Sequence, residues 1–249
     1  MTQKRKKSDS GQALIITSLI ITMLLLSTAY YVFEINNNVT DDSASIDYEF
    51  SATKLSTLDT VVSALANASN GGGTSVLTAN LDRLVSILQS HSYDGEIRLL
   101  FIPLVSASYQ NGIETSWGSN GSGISSAYVN FILNESAPSV NYCSQYATNI
   151  TTALIVQASS TGNDSEKTVN ATWTVYSEQG FALAKDIRVL YQNETDGPWI
   201  PVDLLSNNLI DYGNGTYSLC FNAYALSTIE VSAQVHDSRG IFVMANATC

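Results

Sequence analysis

An uninterrupted apolar stretch dominates the hydrophobic pattern at the amino terminus. No charged residue lies between Gln12 and Phe33, and a helix of that length extends about 33 Å, enough to cross the hydrocarbon core of a bilayer. The basic residues 4–7 precede it, and basic flanks stay on the cytoplasmic side. We therefore predict a cytoplasmic leader over 1–11, a transmembrane helix over 12–34 and a body outside the membrane.

Two segments with a helical period follow a polar linker over 35–47. Leucine or valine recurs every three or four residues in both segments, and a glycine-rich break separates them. The apolar positions are Leu55, Leu58, Val62 and Leu65 in the first segment, then Leu77, Leu81, Leu84 and Leu88 in the second. This pattern predicts a helical hairpin with both stripes in the core. Strand-like runs at 96–109 and 126–133 supply a small sheet and complete an α+β domain over 48–138.

Beyond residue 138 the pattern alternates with a period of two. Glycine, asparagine and aspartate mark the turns between short runs, which lie at Ile150–Ala158, Thr168–Tyr176, Ala184–Tyr191, Thr216–Phe221, Ile229–Val235 and Ile241–Ala245. Short strands at this spacing predict a β-sandwich domain over 139–249. The predicted fold class is therefore α+β: a transmembrane helix, a helical hairpin with a small sheet, and a carboxy-terminal sandwich.

One segment of the carboxy-terminal half resembles a known kind of domain. The run Asp211–Cys220 is similar to the turn-then-strand segment of bacterial and archaeal immunoglobulin-like domains, which implies an immunoglobulin-like sandwich. Tyr217 stands three residues before the cysteine, whereas antibody domains place a tyrosine two residues before it.

Charge is distributed unevenly along the chain. The net charge is −11, and because residues 1–11 carry +3, the remainder carries −14. A body this acidic repels the phosphates of nucleic acids and anionic lipids. We predict no nucleic-acid partner.

Potential glycosylation sites all lie beyond the apolar stretch. Ten Asn-x-Ser/Thr motifs are present, and none has proline in the middle position. The acceptor residues are Asn38, Asn67, Asn120, Asn134, Asn149, Asn163, Asn170, Asn193, Asn214 and Asn246. Their placement predicts an exported glycoprotein.

Three cysteines occur, and none belongs to a C-x-x-C pair, which argues against a zinc or thioredoxin-like site. Outside the cell, a disulfide between two of them is the expected state. Cys143–Cys220 is the preferred pairing because it joins two predicted strands, and Cys220–Cys249 is the rival. The remaining thiol is free or links to another chain, and three unpaired thiols are the third alternative.

The amino terminus resembles a processed secretion signal. The string Ser10–Ile15 is similar to the start of archaeal pilins and of tight-adherence minor pilins, which place a basic stretch, a small residue and often glutamine before an apolar helix. The resemblance implies cleavage between Gly11 and Gln12, with the helix retained and able to assemble with other copies. Ile16 occupies the position where many pilins carry glutamate. A permanent signal anchor, or an ordinary signal peptide cut near 27–29, are the other interpretations.

The sequence contains no recognisable motif for catalysis or metal binding. His91 and His236 have no partner at metal-ligand spacing, and the chain has no P-loop and no G-x-S-x-G elbow. We predict no enzymatic activity, no cofactor and no metal. Trp117 and Trp199 lie in predicted loops and are candidates for partner contacts, whereas Trp173 alternates within a strand and is predicted to be core.

These observations favour a membrane-anchored, glycosylated structural protein of the cell surface, pilin-like in its amino terminus and archaeal by that resemblance. The expected location is the cell membrane, with a single span and the amino terminus in the cytoplasm. The expected partners are the membrane, further copies of the chain or other envelope proteins. The alternative is a membrane-tethered adhesin or ligand-binding module that uses the loops around Trp117 and Trp199. An anchored hydrolase ranks third.

Overall fold

The computed structural model describes residues 21–23, 25–30, 50–91, 96–118, 120–137, 140–162, 166–178, 180–194, 197–207, 209–225 and 228–249. Contacts divide the chain into two compact units, Met1–Thr53 and Lys54–Cys249.

The predicted membrane helix is described only in part. Within 12–34, residues 21–23 and 25–30 are described and are helical. Among the described residues, no helix has both the length and the apolar character needed to cross a bilayer. The predicted leader over 1–11 and the linker over 35–47 lie outside the described residues.

The predicted pair of helices is present: α1 covers 50–69 and α2 covers Val76–His91. In α2 the predicted stripe is confirmed at Leu77 and Leu81, which are fully buried. In α1 the predicted stripe is confirmed at Leu65, which is fully buried, and is wrong at Leu55 and Leu58, which are 58% and 38% exposed.

The buried face of α1 is built mainly from small side chains. Val61, Ala64, Leu65 and Ala68 are buried, and the two alanines let the helix backbone approach its neighbours closely. A periodicity argument that gives most weight to leucine therefore assigns the exposed Leu55 and Leu58 to the buried face of this helix.

Antiparallel strands make up most of the described chain. They are β1 Glu96–Pro103, β2 Ile113–Trp117, β3 Ser122–Ala137, β4 Val140–Thr161, β5 Glu166–Ser177, β6 Gly180–Phe181, β7 Ala184–Gln192, β8 Ile200–Pro201, β9 Ile210–Asp211, β10 Thr216–Tyr224, β11 Glu230–Asp237 and β12 Phe242–Thr248. Sheet A follows the order β1-β3-β4-β5-β10-β9, with β2 paired to β3 and β6 paired to β5. Sheet B follows the order β12-β11-β7-β8.

Strands β3 and β4 form the longest ladder of the fold. They pair over sixteen positions, from Ser122 opposite Ile155 to Ala137 opposite Val140. The domain boundary predicted at 138–139 falls between these two paired strands. Strand β2 lies in a segment that was predicted to be a loop. The prediction failed because the glycine and serine residues of that segment obscure a short alternating run.

Side chains from both sheets meet in one apolar cluster. It contains Leu154 of β4, Trp173 of β5 and Leu219 of β10 from sheet A, together with Val231 and Val243 from sheet B. The prediction that Trp173 is core is confirmed, since it is 1% exposed and its ring stacks on Tyr217 at 6.0 Å. An aromatic pair in such a cluster adds stability beyond the area it buries.

A second group of buried residues lies between the helices and the first strands. The Thr57 and Tyr146 hydroxyls are 3.1 Å apart and hydrogen-bonded, and the Tyr146 ring stacks on Phe131 at 5.2 Å. Burial raises the pKa of Tyr146, and the hydrogen bond with Thr57 offsets part of that rise. These contacts fix α1 to the middle of sheet A.

Candidate functional site

The sequon asparagines lie at the surface wherever the structure describes them. Asn67, Asn120, Asn149, Asn170 and Asn214 are exposed, while Asn134, Asn193 and Asn246 are half-buried. The side-chain oxygen of Asn246 is buried and makes no hydrogen bond in the described part of the chain. Asn38 and Asn163, together with the processing residues Gly11 and Gln12, lie outside the described residues.

The cysteines do not form the predicted bond: all three are free, with Cys143 and Cys220 exposed and Cys249 half-buried. Across the ladders, Cys220 faces Asn170, which faces Ser159 of β4, sixteen residues along that strand from Cys143. That separation is roughly 50 Å, far beyond the reach of about 7 Å between disulfide-linked Cα atoms. The Cys143–Cys220 pairing is therefore corrected: this fold cannot hold it within one chain.

The rival pairing is absent as well. Cys220 is exposed on β10, whereas Cys249 packs against the apolar cluster at the end of β12. The sequence alone could not reject either pairing, because strand order decides which cysteines become neighbours.

Thiol reactivity is expected to separate the cysteines into two classes. Burial raises the pKa of Cys249, an effect that a hydrogen bond with Ser160 and the charge of Lys167 only partly offset. Less thiolate is then present at neutral pH, and the thiolate is the reactive species. At pH 7 a disulfide reagent should label Cys143 and Cys220 quickly and Cys249 at least ten times more slowly. Equal rates at all three thiols, read by peptide mass spectrometry, would contradict this assignment.

Trp117 does not lie in an open loop. It ends β2 and is half-buried, its ring Nε1–H donates to the Ser125 hydroxyl at 3.1 Å, and its ring meets Phe242 edge-on at 5.1 Å. Ser125 in turn donates to the carbonyl oxygen of Phe242 at 2.7 Å. Trp117 therefore contributes to the packing of β2 and β3 on β12, and only a small part of its ring surface is accessible to a partner.

Trp199 stays available at the surface. It precedes the short strand β8 and is 37% exposed. The two loop tryptophans selected from sequence thus occupy different environments, and only Trp199 keeps the exposure expected of a contact residue.

His236 takes part in a structural junction between α1 and the β11–β12 turn. Its Nε2 lies 2.8 Å from the side-chain oxygen of Asn70, whose amide nitrogen donates to the carbonyl of Gly240 at 3.1 Å. The Ser69 hydroxyl accepts from the backbone N–H of Phe242 at 3.0 Å. The other nitrogen of His236, Nδ1, is buried and makes no hydrogen bond among the described residues. No group of three His, Cys, Asp or Glu side chains there is arranged to hold a metal ion.

The densest polar network is one that sequence analysis missed. Asp237, which is 1% exposed, accepts from the Nε of Arg239 at 2.8 Å and from the Thr152 hydroxyl at 2.8 Å. It also accepts from the backbone N–H groups of Arg239 at 2.8 Å and Ile241 at 3.0 Å. The sequence marked residues 237–240 only as a turn.

Arg239 extends this network across to sheet A. Its guanidinium donates to Glu178 at 2.6 Å, to the Thr151 carbonyl at 3.1 Å and to the Thr152 hydroxyl at 3.2 Å. Burial acts to lower the pKa of Arg239, but the hydrogen bonds and charges of Glu178 and Asp237 outweigh it, so the pKa is raised. Glu178 adopts a left-handed backbone with φ 47°, a strained conformation for a non-glycine residue. The network joins the two sheets, and the hydrogen-bonding groups of Asp237 and Arg239 are occupied by other groups of the protein. We therefore assign it a structural role.

Comparisons with models of protein families, with curated proteins and with solved structures gave no match.

Proposed function

We propose that this chain is a non-enzymatic structural protein of the cell surface, anchored by the apolar segment 12–34 and displaying its β-rich body outside the membrane. One observation carries the proposal. The described apolar side chains of that helix are exposed by 57% to 67%, and they are Ile21, Met23, Leu25, Leu26 and Tyr30.

The distribution of these side chains matters as much as their exposure. At 100° per residue these five positions cover an arc of about 200° on the helix, about twice the width of the apolar stripe of an amphipathic helix. An amphipathic helix covers its narrow apolar stripe on its own domain, whereas a helix with so wide an exposed apolar surface needs lipid or other helices around it. A lipid anchor that also packs against copies of itself meets that requirement, as in the pilins that the amino terminus resembles.

The strand order supports an immunoglobulin-like body. Labelled A to G along the chain, β4, β5, β10 and β9 take the places of strands A, B, E and D in one sheet. Strands β7, β11 and β12 take the places of C, F and G in the other, with β8 beside C. Such sandwiches serve widely as extracellular modules, which agrees with a display role but does not define it.

The surface position of the sequons supports export. Five of the eight described acceptor asparagines are exposed, so a glycosylating enzyme could reach those five without disrupting a core.

The mass of the mature amino terminus tests the anchoring proposal. We expect a chain that begins at Gln12 and remains in the membrane fraction after washing with alkaline carbonate. Replacing Gly11 by a bulky residue such as Phe should leave the leader attached, whereas the same replacement at Ser8, outside the proposed cleavage site, should not. A mature chain that begins near Tyr30, or that is released by the wash, would contradict the proposal.

A tethered adhesin is the second candidate, and the exposure of Trp199 favours it. Binding to cell-surface glycans or envelope proteins should weaken at least tenfold in Trp199→Ala. Trp117→Phe provides an aromatic control at the tryptophan that packs on Phe242, and it should bind as the unaltered chain does.

A further inference from the structure

The outer surface of sheet A contains a continuous region without charge. It comprises twelve outward positions of the three strands β4, β5 and β10, and we refer to it as the neutral face. At one end it is bordered by Glu166, the next outward position of β5, which lies opposite Tyr224 in the ladder. Its twelve residues are Ile155, Gln157, Ser159 and Thr161 of β4, Thr168, Asn170, Thr172 and Thr174 of β5, and Thr216, Ser218, Cys220 and Asn222 of β10. None carries a charge at neutral pH.

The ladder register arranges these residues in a regular grid. Ser159, Asn170 and Cys220 form one row across the three strands, and Gln157, Thr172 and Ser218 form the next. Rows of this kind repeat every two residues, about 7 Å along the strands, and neighbours within a row are about 4.8 Å apart.

The side chains of the neutral face are open to solvent and hold one another in position. Every one of the twelve is exposed or half-buried. The hydroxyl of Thr168 donates to the side-chain oxygen of Asn222 at 3.1 Å, and the hydroxyls of Thr174 and Thr216 lie 3.3 Å apart. These cross-strand bonds orient donors and acceptors before any ligand arrives, which lowers the entropy cost of binding.

A loop borders the neutral face on the side of β10. A groove runs between β10 and the segment 203–207, and its lining includes Asn170, Cys220 and Asn222 from the strands and Ser206 and Asn207 from the segment. The segment is fastened by its first residue: the Asp203 carboxylate accepts from the Ser206 hydroxyl at 2.5 Å and from the backbone N–H of Leu205 at 3.1 Å. The amide nitrogen of Asn207 also donates to the Asp203 carbonyl at 2.7 Å.

The absence of charge narrows the class of ligand. The chain beyond residue 11 carries a net charge of −14. None of the twelve residues of the neutral face is acidic or basic. No side chain of the neutral face can form an ion pair with an ammonium, phosphate or carboxylate group. Hydroxyl and amide side chains both donate and accept hydrogen bonds, which suits a ligand made of hydroxyl groups. Exposed aromatic rings at the margin, Tyr212 at 58% and Tyr224 at 64%, offer surfaces on which a sugar ring can pack.

We propose that the neutral face and its adjoining groove bind an uncharged polysaccharide, such as a neutral component of the cell envelope or of a neighbouring cell's surface. This goes beyond the anchoring role. It places recognition on sheet A and not on the tryptophan loops. The face must then remain free of the chain's own glycan, so we expect Asn170 to be unmodified in the native protein although its sequon is complete.

Cys220 offers a direct test because it lies within the neutral face. The full chain, made in a host without N-glycosylation, would be held in a polyoxyethylene detergent that contains no sugar. Alkylation by iodoacetamide would be timed at each cysteine with dextran, mannan, galactan or soluble starch present. We expect at least one polysaccharide to slow Cys220 fivefold or more while Cys143, roughly 50 Å away, reacts at an unchanged rate. Dextran sulfate, in which charged sulfate esters replace hydroxyl groups of dextran, should protect less than the neutral polymers do.

Substitution supplies the second arm of the test. The double variant Ser159→Arg and Asn222→Arg places bulk and charge on either side of the face at exposed positions, and it should weaken binding at least tenfold. Thr248→Arg, at an exposed strand position on sheet B, is the matched control and should bind as the unaltered chain does. Unchanged alkylation of Cys220 with every neutral polymer, equal binding by the double variant, or a glycan on native Asn170 would each overturn the proposal. None of these outcomes bears on anchoring, which the amino-terminal mass tests separately.

Discussion

Replacing Gly123 by alanine is expected to lower the free energy of unfolding by about 3 kcal/mol, the upper end of the usual range for overpacking. A Cβ atom at Gly123 would lie 1.9 Å from the carbonyl oxygen of Met244 and 2.9 Å from its carbonyl carbon. Both obstacles are backbone atoms of β12, so no rotamer change can relieve the clash, and β3 must separate from β12.

Gly180 provides the matched control for this experiment. A Cβ atom there would meet nothing within 4 Å, and Gly180 is not among the glycines with positive φ. Gly180→Ala should therefore be neutral, or stabilising by up to about 1 kcal/mol through the unfolded chain. Urea unfolding of the detergent-held chain, followed by tryptophan fluorescence, measures both. Similar midpoints for the two variants would show that β3 and β12 do not approach each other as described.

Asp237→Ala is expected to cost about 3 kcal/mol, because it removes the acceptor of four hydrogen bonds at a buried position. Two backbone N–H groups and the Thr152 hydroxyl would lose their partner, and the guanidinium of Arg239 would lose its closest buried charge. The side chain of Arg239 is 23% exposed, so water can partly replace the carboxylate, and the cost should stay at the lower end for a broken buried pair.

Glu178→Gln tests the outer half of the same network. The Glu178 side chain is 40% exposed, and an exposed ion pair contributes at most about 1 kcal/mol. We therefore expect a loss of about 1 kcal/mol or less, clearly smaller than that of Asp237→Ala, in the same unfolding assay. If Glu178→Gln proved as costly as Asp237→Ala, the stability of this junction would depend on the surface ion pair and not on the buried carboxylate.

Period-two alternation was sufficient to locate most of the strands. The predicted run 168–176 became β5 over Glu166–Ser177, and the predicted run 184–191 became β7 over Ala184–Gln192. These strands have one face in the core and one in water, which is the condition that alternation detects. The first half of β4 was missed, because residues 140–149 combine polar, aromatic and small side chains without clear alternation.

Long-range features were beyond the reach of a local pattern. The contact of Trp117 with Phe242, and the separation of Cys143 from Cys220, follow from strand order, which no short window of sequence encodes. The neutral face could in principle have been noticed as alternating uncharged residues in three strands, but only the ladder register shows that they share one surface. The processing residues and the linker lie outside the described residues, so the predictions there remain predictions.

The length of β4 determines how the body of the molecule unfolds. Its first half lies beside the strands under the helices, and its second half contributes Leu154 and Val156 to the cluster between the sheets. Unfolding of either half of the body would remove a central strand from the sheet of the other half. The body of residues 54–249 should therefore unfold in one cooperative step. A fragment that begins at residue 139 would lack the strand paired to β4 over sixteen positions and should not fold alone.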